Sequence, residues 1–219
     1  MKGYTYIYEE FGNPLELAQN SEYYFQNDHT QEMTINERVL NVLSKICWDI
    51  QHYYFYLPKI QQIVKEHFGH EFPRLSDLET RSSLLLLNTD NAFGNSRAFS
   101  PNIIPVAGMH ITKPKSLPPD VKKWMDEAEN GVIYFSLGSA IRGKDIPEEY
   151  RKILVKVFGK IKQRVIWKWE DSDMPDKPDN VLIRKWFPQQ DLLAHPKIKV
   201  FITQGGVSSL YVSTISNFH

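Results

Sequence analysis

The sequence predicts an α/β protein with a parallel, doubly wound sheet. In its second half, short apolar strands alternate with amphipathic helices, which is the pattern of parallel βαβ units. The 219 residues, 26 basic and 26 acidic, and the 13% aromatic content indicate a folded chain of one or two domains. The formal net charge of zero argues against a nucleic-acid partner, because proteins that bind nucleic acids carry an excess of basic residues. The single cysteine, Cys47, excludes an internal disulfide framework.

The first half of the chain contains two predicted helices. Thr34 and Glu37 have the spacing of a capping box, in which each side chain satisfies the backbone amide of the other residue. Apolar residues then recur at helical intervals. They are Ile35, Val39, Val42, Leu43, Ile46 and Ile50. Pro58 is expected to kink or divide this region, because proline removes a helical hydrogen bond, and a second helix continues to Gly69.

Aromatic and aliphatic runs follow these helical patterns. The cluster Tyr53–Tyr56 is either a ligand-stacking surface or a core or interface patch, and the second interpretation is favoured because aromatic side chains dominate ordinary packing. Ser83–Leu87 and Ile103–Ala107 are short apolar runs that predict buried strands. Prolines then concentrate in a stretch that resists both helix and sheet. This stretch predicts a linker at 111–119 between domains at 1–110 and 120–219.

The second half has a regular pattern of helices and strands. A helix is predicted over 120–129, and another over Pro147–Lys160. One side of the latter carries Tyr150, Leu154, Val157, Phe158 and Ile161. Strands are predicted at 132–136, 165–168, 181–184 and 200–203, with a short helix at 189–194 and a further helix after Gly205-Gly206.

Three segments lie where a predicted strand ends, the place where parallel sheets bind ligands. Ser136–Ser139 is a glycine turn with two hydroxyls, suited to phosphate oxygens or to a plain turn, and the turn is favoured. The indole of Trp186 would either stack on a heteroaromatic base or cap the core, and neither is favoured. Thr203–Ser209 leads paired glycines into a helix, whose free amides and positive dipole end suit a phosphate.

These segments resemble the donor-binding domain of UDP-glycosyltransferases, and the insect members of the UDP-glucuronosyltransferase superfamily are the most similar. The resemblance runs in order through Gly131–Ser139, Val165–Trp169, Trp186–Pro196 and Phe201–Tyr211. It implies the GT-B fold, with two Rossmann-like domains, each incomplete in this chain. Residues 1–110 would be the C-terminal part of the acceptor-side domain, and 120–219 the N-terminal part of the UDP-sugar donor-binding domain.

The resemblance also implies roles for individual residues. Trp186 would stack on uracil with Phe187 beside it, and Gln189 would help to hold the nucleoside. The remaining residues of the expected UDP site would surround the diphosphate. They are Ser136, Gly138, Ser139, Gln204, Gly205, Gly206, Ser208 and Ser209. The helix end would stabilise negative charge on departing UDP without a metal. UDP-sugar is therefore a co-substrate, and neither a cofactor nor a metal site is expected.

The sequence departs from the family pattern at two of these positions. Gln204 stands where the family usually has a histidine that reaches the diphosphate, and a neutral amide lacks the charge-assisted part of that contact. Val212 stands where a glutamate accepts from the ribose hydroxyls. Beyond Tyr211 the likeness is expected to stop, with unrelated residues replacing the helix. The family's catalytic His and Asp align upstream of Met1, so no catalytic residue is expected here.

The sequence thus predicts a UDP-glycosyltransferase that transfers a glucosyl or glucuronosyl group to a small lipophilic acceptor. Truncation at both ends relative to the family predicts weak or absent activity. Two alternatives stay open, a non-catalytic splice product that pairs with full-length family members and an inaccurate gene model. The resemblance implies detoxification and an endoplasmic reticulum membrane location for full-length members, whereas neither a signal peptide nor a transmembrane helix is predicted here.

Overall fold

The structure is a computed structural model that describes residues 6–13, 17, 33–89 and 98–215. The chain divides into two compact units, Met1–Ala107 and Gly108–His219. The first unit is mainly helical, and the second is built around a parallel sheet. Within the described residues, no helix has both the length and the apolar character needed to cross a membrane.

The described residues of the first unit form four α-helices and two short strands. They are α1 (Tyr6–Glu10), α2 (Ile35–Ile50), α3 (Leu57–Phe68), α4 (Leu75–Glu79), β1 (Leu85–Leu87) and β2 (Ile103–Pro105). The predicted capping box is confirmed at the start of α2. The Thr34 backbone N–H donates to the Glu37 carboxylate at 2.7 Å, and the Glu37 N–H donates to the Thr34 hydroxyl at 3.4 Å.

The predicted division of this region near Pro58 is confirmed, because α2 ends at Ile50 and a second α-helix, α3, begins at Leu57. A π-helical segment, Gln51–Tyr56, joins α2 to α3, and Pro58 lies in the first turn of α3. The missing N–H of Pro58 is tolerated because the first turn of an α-helix requires fewer internal hydrogen-bond donors. The π-helical segment that precedes α3 accommodates the change in hydrogen bonding. The predicted end of the second helix is confirmed at Gly69, whose φ of 94° suits glycine.

Much of the apolar surface of this unit is exposed. Tyr54, Phe55 and Tyr56 all lie on the surface, so the core interpretation of the aromatic cluster is wrong and the interface interpretation stays a prediction. The apolar positions of α2 are also largely exposed. The two predicted strands form and pair in parallel, with Leu86 opposite Ile104. Both of these side chains are exposed, so the strands are less buried than their composition suggested.

The second unit is a four-stranded parallel sheet with helices. Its strands are β3 (Val132–Ser136), β4 (Arg164–Lys168), β5 (Val181–Arg184) and β6 (Ile198–Thr203), in the spatial order β5-β4-β3-β6. Its helices are α5 (Pro119–Asp126), α6 (Glu148–Phe158), α7 (Gln189–Leu193) and α8 (Val207–Ile215), with a 3₁₀ turn at Gly143–Asp145. All three strand pairings are parallel, which confirms the predicted βαβ pattern.

Both faces of this sheet are covered, which explains the continuous apolar composition of its strands. Successive residues of a strand point to opposite faces. On β3, Tyr134 belongs to one apolar cluster with α5 residues, and Phe135 to a second cluster with α6 residues. On β4, Ile166 joins the first cluster and Trp167 the second. The two central strands, β3 and β4, therefore each contribute to two cores at once.

The predicted packing face of α6 is confirmed at Leu154, Phe158 and Ile161 and is wrong at the two other positions. Tyr150 and Val157 are exposed, whereas Arg151, Val155 and Phe158 are buried. These three positions are four and three residues apart and so lie on one helix face. A guanidinium can join this face because Arg151 donates to the Pro175 carbonyl oxygen at 2.7 Å. A helix face predicted from the positions of apolar residues alone could not include Arg151.

The proline-rich stretch at 111–118 contains neither helix nor strand, as its composition predicted. It is nevertheless attached to the second unit. Leu117 is buried in the same apolar cluster as Tyr134, and the backbone N–H of Lys115 donates to the Asp191 carboxylate at 2.7 Å. The helix that follows begins at Pro119, where the missing proline N–H costs no helical hydrogen bond.

We expect Asn180→Ala to destabilise the second unit. The Asn180 amide nitrogen lies within 2.8–3.3 Å of the carbonyl oxygens of Phe158, Ile161 and Gln163, which tie the end of α6 to the start of β5. Loss of these bonds should lower the free energy of unfolding by about 1–3 kcal/mol in urea titrations followed by tryptophan fluorescence. Asp179→Ala, at the exposed neighbouring position, is the control. Equal unfolding midpoints for the two variants would contradict this role.

Candidate functional site

The carboxyl ends of the parallel strands bring three loops to one edge of the sheet. Ser136, the last residue of β3, is in register with Thr203, the last residue of β6. On the other side, β4 ends at Lys168, which pairs with Arg184 at the end of β5. The segments after β3, β5 and β6 are the three that the sequence singled out. Because parallel strands end at the same edge, all three emerge there.

The loop after β3 approaches the loop after β6 very closely. Ser136 is only 2% exposed, and its hydroxyl accepts from the Gly138 N–H at 3.3 Å. Gly138 has a φ of 80°, and a Cβ there would lie 2.7 Å from the Gln204 amide nitrogen. Glycine is therefore favoured by the turn, whereas a Cβ would only displace the end of the Gln204 side chain. Ser139, the second hydroxyl of the segment, is exposed.

The two aromatic residues after β5 have opposite environments. Trp186 is 69% exposed, so its indole does not cap the core. Phe187 is buried and packs edge-to-face on Tyr134, with ring centroids 6.3 Å apart. The Phe187 ring thus belongs to the core and anchors the loop, and only its backbone can meet a ligand at the surface. The side chains of these two neighbouring residues point in opposite directions, so the Trp186 ring faces outward.

Gln189 connects the loop after β5 to the start of α8. Its amide nitrogen donates to the Ser209 hydroxyl at 3.0 Å, and its amide oxygen accepts from the Tyr134 hydroxyl at 3.4 Å. Burial raises the pKa of Tyr134 to about 12, although a hydrogen bond with Ser136 partly opposes that shift. Tyr134 therefore stays a neutral donor across the physiological range. The sequence does not single out Tyr134, because its place in an apolar run identifies it only as a strand residue.

The start of α8 is open to a ligand. Gly205 has a φ of 77° and nothing within 4 Å of the position a Cβ would take. Ser208 is exposed in the first turn of the nine-residue helix. The Gln204 amide lies beside Gly206, 3.3 Å from where its Cβ would be. Free backbone amides and the positive end of the helix dipole make this end suited to an anion.

Val212 and the last part of α8 depart from the expectation based on sequence. The helix does not stop after Tyr211 but continues to Ile215. Val212 is buried in the apolar cluster that contains Tyr134 and Phe187. Burial of the Val212 side chain in this cluster is favourable because it removes apolar surface from water. The side chain therefore lies in the core and not at the surface. The helix continuation was missed because Ser213 and Thr214 are poor helix formers; their hydroxyls bond back to the Leu210 carbonyl oxygen.

The arrangement is therefore a surface with an exposed indole, a fixed amide and a glycine-rich helix start within one edge of a parallel sheet. A family model described as UDP-glucoronosyl and UDP-glucosyl transferase matches residues 13–217. The chain belongs to this family. The predicted recognition as a UDP-glycosyltransferase is thereby confirmed.

Curated relatives of this UDP-glycosyltransferase chain come from insect and human sources. UDP-glycosyltransferase UGT5 of Dactylopius coccus is 35% identical over 207 residues, covering 93% of this chain and 39% of the relative. UDP-glucuronosyltransferase 2B10 of Homo sapiens is 34% identical over 184 residues, covering 83% of this chain and 34% of the relative. The chain thus spans well under half the length of these relatives.

Solved structures support the fold. The spinosyn forosaminyltransferase SpnP matches with a TM-score of 0.51 at 13% identity, covering 80% of this chain and 45% of that chain. At this identity the likeness concerns the fold alone. The parallel sheet of the second unit and the glycosyltransferase neighbours confirm the predicted α/β fold of GT-B type.

Tyr134 should make stability pH-dependent at alkaline pH. Its pKa is raised to about 12 in the fold from about 10 in an unfolded chain, so the folded state holds the proton more tightly. This contribution is complete below pH 10 and is lost between pH 10 and 12. Over that interval, the free energy of unfolding should fall by about 2–3 kcal/mol less in Tyr134→Phe than in wild type. Urea unfolding at a series of pH values measures this difference. Parallel stability curves for the two proteins would refute the burial of an ionisable Tyr134.

Proposed function

We propose that the protein is a UDP-glycosyltransferase and that residues 120–219 form part of its UDP-sugar site. In this proposal a glucosyl or glucuronosyl group is transferred to a small lipophilic acceptor, and residues 1–110 belong to the acceptor-side domain. The main support is the hydrogen bond from Gln189 to Ser209, which joins the loop of the exposed Trp186 to the glycine-rich start of α8. A nucleoside site and a phosphate site are thereby held together.

The nucleoside would bind at the loop after β5. The Trp186 ring is exposed and flat, and such a surface stacks on a pyrimidine base. The loop that carries Trp186 is anchored by the neighbouring Phe187, whose ring packs in the core. Gln189 is held by Tyr134 and Ser209, and a side chain fixed at both ends loses little conformational entropy when a ligand arrives. Pre-organisation of this kind favours binding of the uridine half.

The diphosphate would bind at the start of α8. Gly205, Gly206 and Ser208 offer backbone amides and a hydroxyl at the positive end of a helix. Ser139 is the exposed hydroxyl of the loop after β3, whose neighbour Gly138 contacts Gln204. Ser136 acts indirectly, because its buried hydroxyl is used to hold the turn. Charge on departing UDP is then stabilised by dipoles rather than by a metal.

We further propose that UDP binding and transfer are weak in this chain. A neutral Gln204 opens the loop after β6 and lies beside Gly138 of the loop after β3, at a position where a histidine would supply a charge-assisted bond. Val212 is buried and apolar and offers the ribose no acceptor. Both substitutions act on donor binding, and the proposal of weak activity rests on them.

A non-catalytic interaction role is the second candidate. It is favoured by the exposed apolar surface of the first unit, where Tyr54, Phe55 and Tyr56 and much of α2 lie uncovered. Contiguous exposed apolar surface of this kind commonly marks an interface. Co-purification with a longer family member would support pairing. Endoplasmic reticulum membrane location and a part in detoxification are proposals for the whole protein only.

Trp186→Ala should weaken UDP binding by about tenfold, because stacking of a base on an aromatic ring contributes roughly 1–3 kcal/mol. Isothermal titration of the 219-residue chain with UDP measures the change. Tyr150→Ala is the matched control, since it removes an exposed aromatic side chain from α6. Identical dissociation constants for wild type and Trp186→Ala would remove Trp186 from the site.

Gln204→His should strengthen UDP binding, by about threefold to tenfold at pH 6 and less at pH 8. An imidazolium adds a charge-assisted hydrogen bond to the diphosphate, and histidine loses its charge over this pH interval. Titration calorimetry at the two pH values tests this. The control is Gln163→His, at a glutamine that precedes β4 at the opposite end of the sheet. No gain at pH 6, or an equal gain from the control, would count against a diphosphate at position 204.

A further inference from the structure

Lys168 is a charged residue buried at the end of an apolar strand. It closes β4, and only 8% of its surface is exposed. Lysine is rarely so buried unless it is paired. Its strand ends at the same edge of the sheet as the loops of the proposed UDP site. The contacts proposed above for uracil, ribose and diphosphate do not include it.

Glu170 holds the Lys168 ammonium in a fixed position. The Lys168 Nζ donates to one Glu170 carboxylate oxygen at 2.5 Å, and the backbone N–H of Lys144 donates to the other at 3.2 Å. Gly143 makes this arrangement possible, because a Cβ there would lie 2.7 Å from the Lys168 carbonyl oxygen. The 3₁₀ turn at Gly143–Asp145 thus packs directly on the end of β4, and both ends of the ion pair are anchored.

The same ammonium lies over the ring of Trp186, with Nζ 5.9 Å from the ring centroid. At this distance a cation is attracted by the negative face of an indole. The attraction is stronger when the cation is desolvated, as the buried Lys168 is. The Trp186 ring itself is 69% exposed, so few packing contacts compete to set its orientation.

We propose that Lys168 is a positioning residue for Trp186, an inference that rests on the proposed UDP site. The fixed ammonium attracts the indole from one side and holds the ring at one orientation. The exposed remainder of the ring is then presented to uracil. Lys168 therefore strengthens nucleoside binding through Trp186 and does not touch the nucleotide, and it has no effect on the diphosphate contacts.

The test compares UDP with pyrophosphate, which lacks the base, by titration of the full chain. Lys168→Met removes the charge, and Lys168→Met/Glu170→Gln removes both charges so that no carboxylate is left buried and unpaired. Both variants should bind UDP about threefold to tenfold more weakly, with pyrophosphate binding unchanged. Lys168→Arg keeps a cation at the ring and should bind UDP within about twofold of wild type. Equal loss for UDP and pyrophosphate, or none for UDP, would overturn the proposal.

Two further measurements separate this inference from the proposed function. In a Trp186→Ala background, Lys168→Met should have no additional effect on UDP binding, whereas a persisting loss means that Lys168 contacts the ligand directly. Without any nucleotide, ¹⁵N relaxation of the Trp186 indole N–H should show greater ring mobility in Lys168→Met than in wild type. An unchanged indole signal refutes the positioning role whether or not the chain binds UDP. Failure of Trp186→Ala to affect UDP binding removes Trp186 from the proposed site and with it the effect of Lys168 on UDP binding, whereas the effect of Lys168 on ring mobility is tested independently of any nucleotide.

Discussion

The parallel pairing of β3 with both β4 and β6 is the constraint on which the second unit depends. It places the ends of all four strands at one edge and so brings distant segments of the sequence together. It also requires both faces of the sheet to be covered, and Tyr134 and Phe135 meet this need on opposite sides. Displacement of β3 by one residue would exchange those faces and break the site and the core together.

Three polar side chains inside this unit, those of Tyr134, Gln189 and Lys168, have hydrogen-bond partners that also define the site. Tyr134, Gln189 and Ser209 form one chain of hydrogen bonds from the core to the start of α8. Lys168 and Glu170 form a second polar contact beside Trp186. Because a buried polar group is costly when unpaired, these partners restrict the geometry more than apolar packing alone would. The side chains of Gln189 and Lys168 are thus held by defined partners in the absence of a ligand.

Much of the second unit could be predicted from sequence, because strand and helix patterns there are local. The bounds of β3 and β5 were predicted without error, and the capping box at Thr34 needed only two residues in the correct order. Failures occurred where burial depends on distant contacts. The burial of Arg151 and of Lys168 could not be predicted, because it depends on contacts with Pro175 and with the turn at Gly143–Asp145, which are distant in sequence.

The central claim, a UDP site assembled at one edge of the parallel sheet, is tested most directly by amide NMR. A ¹⁵N-labelled chain is titrated in parallel with UDP and with uridine. UDP should shift the amides of residues 136–139, 186, 187, 189 and 204–209 together. Uridine should shift only the second group strongly, because it lacks the diphosphate that the helix end attracts. No UDP-dependent shifts, or shifts confined to the amino ends of the strands, would contradict the claim.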